Sequence, residues 1–164
     1  MKEALALAGA KFGVTIINST YNAALAAEDR ELIRGHHIEL EAVSSLEKRG
    51  FRAFTDKLFK KVGDKMVRLF GIQSSWALGY GAGRYLKAAL EQNADLYICH
   101  QETGLYCGVR LMAKGKKAAF DFEDWYSEDL SEEARRARPI GLLKELEKEA
   151  LQKGSFCFTT SDTM

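Results

Sequence analysis

"NADLYICHQETGLYCGVRLMAKGKKAAFDFEDWYSEDL", residues 93–130, decides the fold. Its first apolar run, "DLYICH" from Asp95 to His100, is too short for a helix and reads as a strand. A helical pattern follows over residues 102–114, and Gly115 marks its end. Ala118, Ala119 and Phe120 then open a second buried strand. Strand, helix, strand is the repeating unit of a parallel sheet, because parallel neighbours need a long crossover between them. The second strand runs straight into Asp121, Glu123, Asp124, Glu128 and Asp129, with Trp125 and Tyr126 among them. A plain turn needs Gly, Asn, Pro or a single Asp, not this much charge beside two large rings. The stretch is either a solvated acidic loop or the lip of a polar ligand site.

The same alternation extends to both sides. "MKEALALAGAKFG" reads as a short helix with Gly13 near its end; Glu3 and the lack of a sustained apolar core argue against a signal peptide. "VTIIN" (14–18) reads as a buried strand, and "HIELEAVS" (37–44) alternates with a period of two, as a half-exposed strand toward a sheet edge does. From residue 45 to 92 the pattern is helical. Phe51, Phe54, Leu58, Val62, Met66 and Phe70 follow helical spacing with Lys57, Lys60, Lys61, Lys65 and Arg68 between them. Gly71 breaks this stretch, and a second helix is expected over 74–91. A charged helix over 139–153 and a last strand, "SFCFTTS", complete the chain. The expectation is one α/β domain over residues 1–164: three-layer, Rossmann-like, with a mainly parallel sheet and helices on both faces.

Composition narrows the function classes. The chain has 164 residues, enough for one domain with a real core. It is 46% hydrophobic and 29% charged, as an ordinary soluble globular protein is. A net charge of +1 gives no overall pull toward nucleic acid or anionic lipid, and no nucleic-acid partner is expected. Cys99, Cys107 and Cys157 are odd in number and lack C-x-x-C spacing, which fits reduced thiols in the cytoplasm. No run approaches the roughly 18 apolar residues of a membrane span.

In open parallel sheets, ligands bind beyond the carboxyl ends of the strands. There the sequence places Asn18, Ser19 and Thr20; Ser44 and Ser45; His100, Gln101, Glu102 and Thr103; Asp121, Glu123 and Asp124; and Thr160, Ser161 and Asp162. Hydroxyls, carboxylates, an amide and an imidazole beside flat rings are the groups that hold a sugar, polar edges to its hydroxyls and a ring against its C–H face. Strand ends in any such fold are loops, however, and loops are polar, so a solvated rim stands as the plain alternative.

Residues 93–164, and "KEALALAGAKFGVTIIN" more loosely, resemble the N-terminal, acceptor-side half of retaining GT-B-type glycosyltransferases of the family 4-like kind. The order of the blocks carries the likeness. Asp95 opens a strand that ends at His100, a helix of small and apolar residues follows, the next strand ends in Asp121, Glu123 and Asp124 with an aromatic, and "FCFTTSDTM" matches a last strand ending in Ser161. Ile98 and Gln101 depart from the pattern, standing where a histidine and an acid are common, with Glu102 as the substitute acid. The resemblance implies that His100 is catalytic and that Asn18, Gln101, Glu102, Asp121, Glu123, Asp124 and Ser161 bind substrate. It implies a nucleotide-sugar donor held mainly by a second domain, a sugar or lipid-linked acceptor, and no cofactor. It further implies a fragment, lacking a first strand and the donor-binding domain and inactive alone. The alternative is a non-catalytic Rossmann-like or flavodoxin-like binding or regulatory module.

Each signal has a plain counterpart. His100 could satisfy a local backbone group, and one of Asp121, Glu123 and Asp124 could cap the next helix. No metal site is expected, since the histidines lie apart and Cys99 and Cys107 lack a fourth ligand. "GYGAGRY" (79–85) follows no strand, so packing through Gly79 and Gly83 is expected, not a dinucleotide loop. The basic, aromatic helix near residues 48–70 suits a weak peripheral contact with the inner face of a membrane. The same pattern also describes a helix covering a sheet with its lysines in water.

Overall fold

The structure, a computed structural model, describes residues 1–47 and 50–159. In chain order its elements are α1 (Lys2–Gly9), β1 (Val14–Thr20), α2 (Ala23–Leu32), β2 (Ile38–Ser45), α3 (Phe51–Phe70), a 3-10 turn (Ser75–Ala77), α4 (Ala82–Gln92), β3 (Tyr97–His100), α5 (Gln101–Met112), β4 (Ala118–Phe122), α6 (Glu132–Arg135), α7 (Ile140–Lys153) and β5 (Cys157–Thr159). The fold is α/β, and every strand pair among the described residues is parallel, as in Rossmann-like proteins. The strands form two sheets, β1–β2 and β3–β4–β5. The chain divides into two compact units, Met1–Thr55 and Asp56–Met164.

The first unit is built on β1 and β2, paired from Val14 with Ile38 to Thr20 with Ser45, with a register shift between Asn18 and Ser19. Its core is small: Ala4, Ile33 and Ile38, with Leu5, Ala8, Val14, Ile16 and Leu40 packed on them. β2 is half-exposed at a sheet edge, but its alternation fails in the second half, where Ala42 is exposed and Val43 and Ser44 are buried, because the register with β1 shifts there. β1 differs from its apolar reading: only Ser19 is fully buried, because so small a cluster leaves Val14, Ile16 and Ile17 half covered. α2 has no apolar stripe to announce it. It starts because Asn22 caps it, its Oδ1 accepting from the N–H of Ala24 at 2.8 Å and of Leu25 at 3.3 Å.

The second unit contains the deciding stretch. β3 and β4 pair from Tyr97 with Ala118 to His100 with Asp121, and β5 adds to the other side of β4. Phe120 is fully buried with Ala118, Ala119, Leu105, Leu111 and Leu143. Its ring fits only because of two glycines. A Cβ on Gly108 would lie 2.5 Å from it, and one on Gly154 2.9 Å.

The helix expected over 74–91 is divided into the 3-10 turn and α4, with Gly81 in the left-handed region (φ +75°) between them. Gly79 makes the expected close approach, to Thr103 on the first turn of α5; Gly83 instead faces open space.

α3 overturns the sheet-covering reading. Its buried side is Ala53, Asp56, Gly63 and Val67, while Phe51, Phe54, Leu58, Val62, Leu69 and Phe70 are exposed. The reason is local. A Cβ on Gly63 would lie 2.8 Å from the backbone of Trp76 and Ala77, so only a bare backbone fits there. Asp56, buried on the same side, pairs with Arg84 of α4. Among the described residues, no helix is long and apolar enough to cross a membrane.

Candidate functional site

Parallel pairing in register brings residues of equal rank to the same edge, so the ends of β3 and β4 deliver His100 and Asp121 side by side. His100 Nδ1 lies 3.0 Å from Asp121 Oδ2 and 3.7 Å from Glu123 Oε1. The strand passes into α5 without a loop: His100 is the extended N-cap residue, and Gln101 takes a left-handed φ of +60°. A non-glycine residue there costs roughly 1 kcal/mol or more, and such strain collects at functional sites. Gly104 permits the tight turn, because a Cβ on it would come within 3.3 Å of the Cys99 backbone.

The imidazole is 39% exposed, Asp121 only 16% and Glu123 44%. A half-sheltered carboxylate beside a reachable imidazole orients the ring. With Nδ1–H donated to Asp121, the neutral tautomer keeps its lone pair on Nε2. The donor atoms of His100, Asp121 and Glu123 all lie within 4.8 Å of one another, so a divalent cation could touch all three. The 3.0 Å contact is equally a hydrogen bond that needs no ion.

The acidic loop sorts into two kinds of carboxylate. Asp129 Oδ2 accepts from the Trp125 N–H at 3.0 Å, closing the turn. Glu128 holds Lys144 at 2.7 Å and Arg135 at 3.3 Å, and the Lys144 hydrogen bond keeps its carboxyl below the usual range. Glu147, buried on α7, accepts from the Ser127 N–H at 3.0 Å. These acids build the loop. Asp121 and Glu123 face His100, and Asp124 is exposed. The rings divide likewise. Tyr126 is buried and donates to the Asp121 carbonyl at 3.4 Å, and burial, with the charges of Glu123 and Asp121, pushes its phenol up to about 12. Trp125 is 48% exposed.

The structure thus brings His100, Asp121 and Glu123 together. Gln101 lies exposed beside them in the chain. Glu102 is mostly buried and pairs with Arg138, whose own charge is disfavoured by burial. Asn18 lies in the first unit beside the register shift between β1 and β2, where its Oδ1 and the Ser19 Oγ are enclosed without a hydrogen-bond partner among the described residues. Ser161 lies outside the described residues. Sequence reasoning missed Glu147 and Arg138. Glu147 carried a signal: with Leu143, Leu146 and Ala150 it falls on one helical face, an acid where an apolar residue belongs.

An imidazole braced by one carboxylate, with a second alongside and an exposed indole two residues further on, can accept hydrogen bonds from a polyhydroxylated ligand and offer it a flat apolar face. No family model matches the chain, and no curated protein and no solved structure matches it either.

Proposed function

We propose that the chain forms the acceptor-side wall of a retaining glycosyltransferase cleft, with a nucleotide-sugar held opposite by a second α/β domain. The supporting observation is the His100–Asp121–Glu123 cluster, set by strand register at the carboxyl edge of a parallel sheet. The order of strand, helix and acidic blocks over residues 93–164 supports the same reading.

In this reading Asp121 orients His100, whose Nε2 accepts from the acceptor hydroxyl, and Glu123 and Gln101 take neighbouring hydroxyls. The acceptor oxygen bonds to the anomeric carbon as the bond from that carbon to the diphosphate breaks; the hydroxyl proton passes to His100 Nε2, and the diphosphate leaves as the anion. The cleft contributes positioning and stabilisation of an oxocarbenium-like charge. Cys99 and Cys107 are free thiols whose burial pushes them up to about 12, so they are inert and take no part in the transfer.

The test is a transfer assay with UDP-, GDP- and ADP-hexoses and a panel of sugar and lipid-linked acceptors, products read by mass spectrometry. The 164-residue chain is assayed alone and joined to the sequence encoded downstream of it. Product is expected only from the longer chain, and His100→Ala in it is expected to lower turnover by about 10²-fold or more. Turnover by the 164-residue chain alone, or full activity of the His100→Ala protein, sinks the proposal.

A further inference from the structure

The outward face of α3 is made of the wrong residues for water. Leu58, Val62 and Leu69 recur on one side of the helix, Phe51 and Phe54 continue that side toward its start, and all five are exposed. Phe51 is 82% exposed, more than any other large apolar side chain described. An ordinary surface helix buries such a stripe. Here the close fit of Gly63 against the Trp76–Ala77 backbone and the Asp56–Arg84 pair hold the opposite side inward.

Charge says what the stripe meets. At 100° per residue, Lys57, Lys61, Lys65 and Arg68 form a row along one flank of it, and all four are exposed. Both acids of the helix are already engaged: Asp56 is buried with Arg84, and Asp64 holds Lys60 at 2.6 Å. The exposed charge of α3 is therefore wholly positive, on a chain whose net charge is only +1. A partner protein could meet an apolar stripe with an apolar stripe. A one-sided row of cations beside it matches a surface with negative charge at its rim and hydrocarbon beneath, an anionic lipid leaflet.

We propose that α3 is a membrane-surface helix that lies in the headgroup plane of an anionic bilayer. Its apolar stripe dips below the phosphates, and Lys61, Lys65 and Arg68 lie level with them. The inference does not rest on the sugar-transfer reading; it stands on the exposed face of one helix.

Sedimentation with vesicles tests it. The full 164-residue chain is expected to pellet with phosphatidylglycerol-containing vesicles and not with pure phosphatidylcholine, and less so as salt rises. Lys61→Glu/Lys65→Glu/Arg68→Glu is expected to weaken binding at least tenfold, and so is Leu58→Glu/Val62→Glu. Both sets change exposed side chains, and circular dichroism with thermal melting confirms that each variant folds. Failure of the folded wild-type chain to pellet with anionic vesicles overturns the proposal. So does pelleting that the charge reversals leave unchanged. A dimer seen by analytical ultracentrifugation and abolished by Leu58→Glu/Val62→Glu, with no vesicle binding, would assign the stripe to a second copy instead.

Discussion

Trp125 and Tyr126 are neighbours in the chain with opposite tasks. One ring stands in solvent two residues along the chain from Glu123, while the other is buried with its hydroxyl on the Asp121 carbonyl. A phenol buried among carboxylates resists ionisation, so Tyr126 is expected to titrate late, near its raised value of about 12. Because the folded pKa lies above the unfolded one, the stability it contributes is full below pH 10 and drains away as pH rises toward 12. Absorbance at 295 nm follows the titration, and Tyr126→Phe should remove the late component; a late component that survives in that variant would assign it elsewhere. At this scale the sequence was partly legible. His100, Asp121 and Glu123 could be placed together because strand ends share an edge. The engagement of Glu102 with Arg138 could not, because the two lie on separate elements and nothing local in their spelling pairs them.

Elements were legible where periodicity is a local property. β3, α5, β4 and α7 stand close to where the apolar pattern puts them. α3 was legible as a helix but its facing was not, since hydrophobic spacing reports which side is apolar and not which side is buried. Gly63 and the buried Asp56–Arg84 pair decided the matter, and what each meets is visible only in three dimensions. Gly63→Ala should lower the urea midpoint by the equivalent of about 1–3 kcal/mol, since its Cβ would meet backbone and not a side chain that can turn aside. Gly83→Ala, in open space on α4, should be neutral or stabilise by roughly 0.5–1 kcal/mol. Equal midpoints for the two variants would show that α3 does not pack through Gly63.

For the molecule as a whole, the α/β class with parallel pairing followed from alternating elements, but the distribution of strands between two sheets did not. Strand pairing is a contact between residues far apart in sequence, and an apolar run looks the same beside any neighbour. The two units differ in what they bury: Phe120, Leu105, Leu111 and Leu143 in one, against Ala4, Ile33 and Ile38 in the other. Hydrogen exchange read by mass spectrometry should therefore find the slowest amides in β3, β4 and α5, with β1 and β2 exchanging well before them. Protection of β1 and β2 equal to that of β4 would contradict that ranking.

The inverted helix also has a bearing on how the protein behaves in a tube. A chain that carries phenylalanines and leucines outward along one helix, with cations beside them, is an amphiphile. It will collect wherever water ends, at air, plastic or detergent. Loss of material from dilute solutions is then a surface phenomenon with its origin at Gly63, where a missing methyl group decides which way α3 faces.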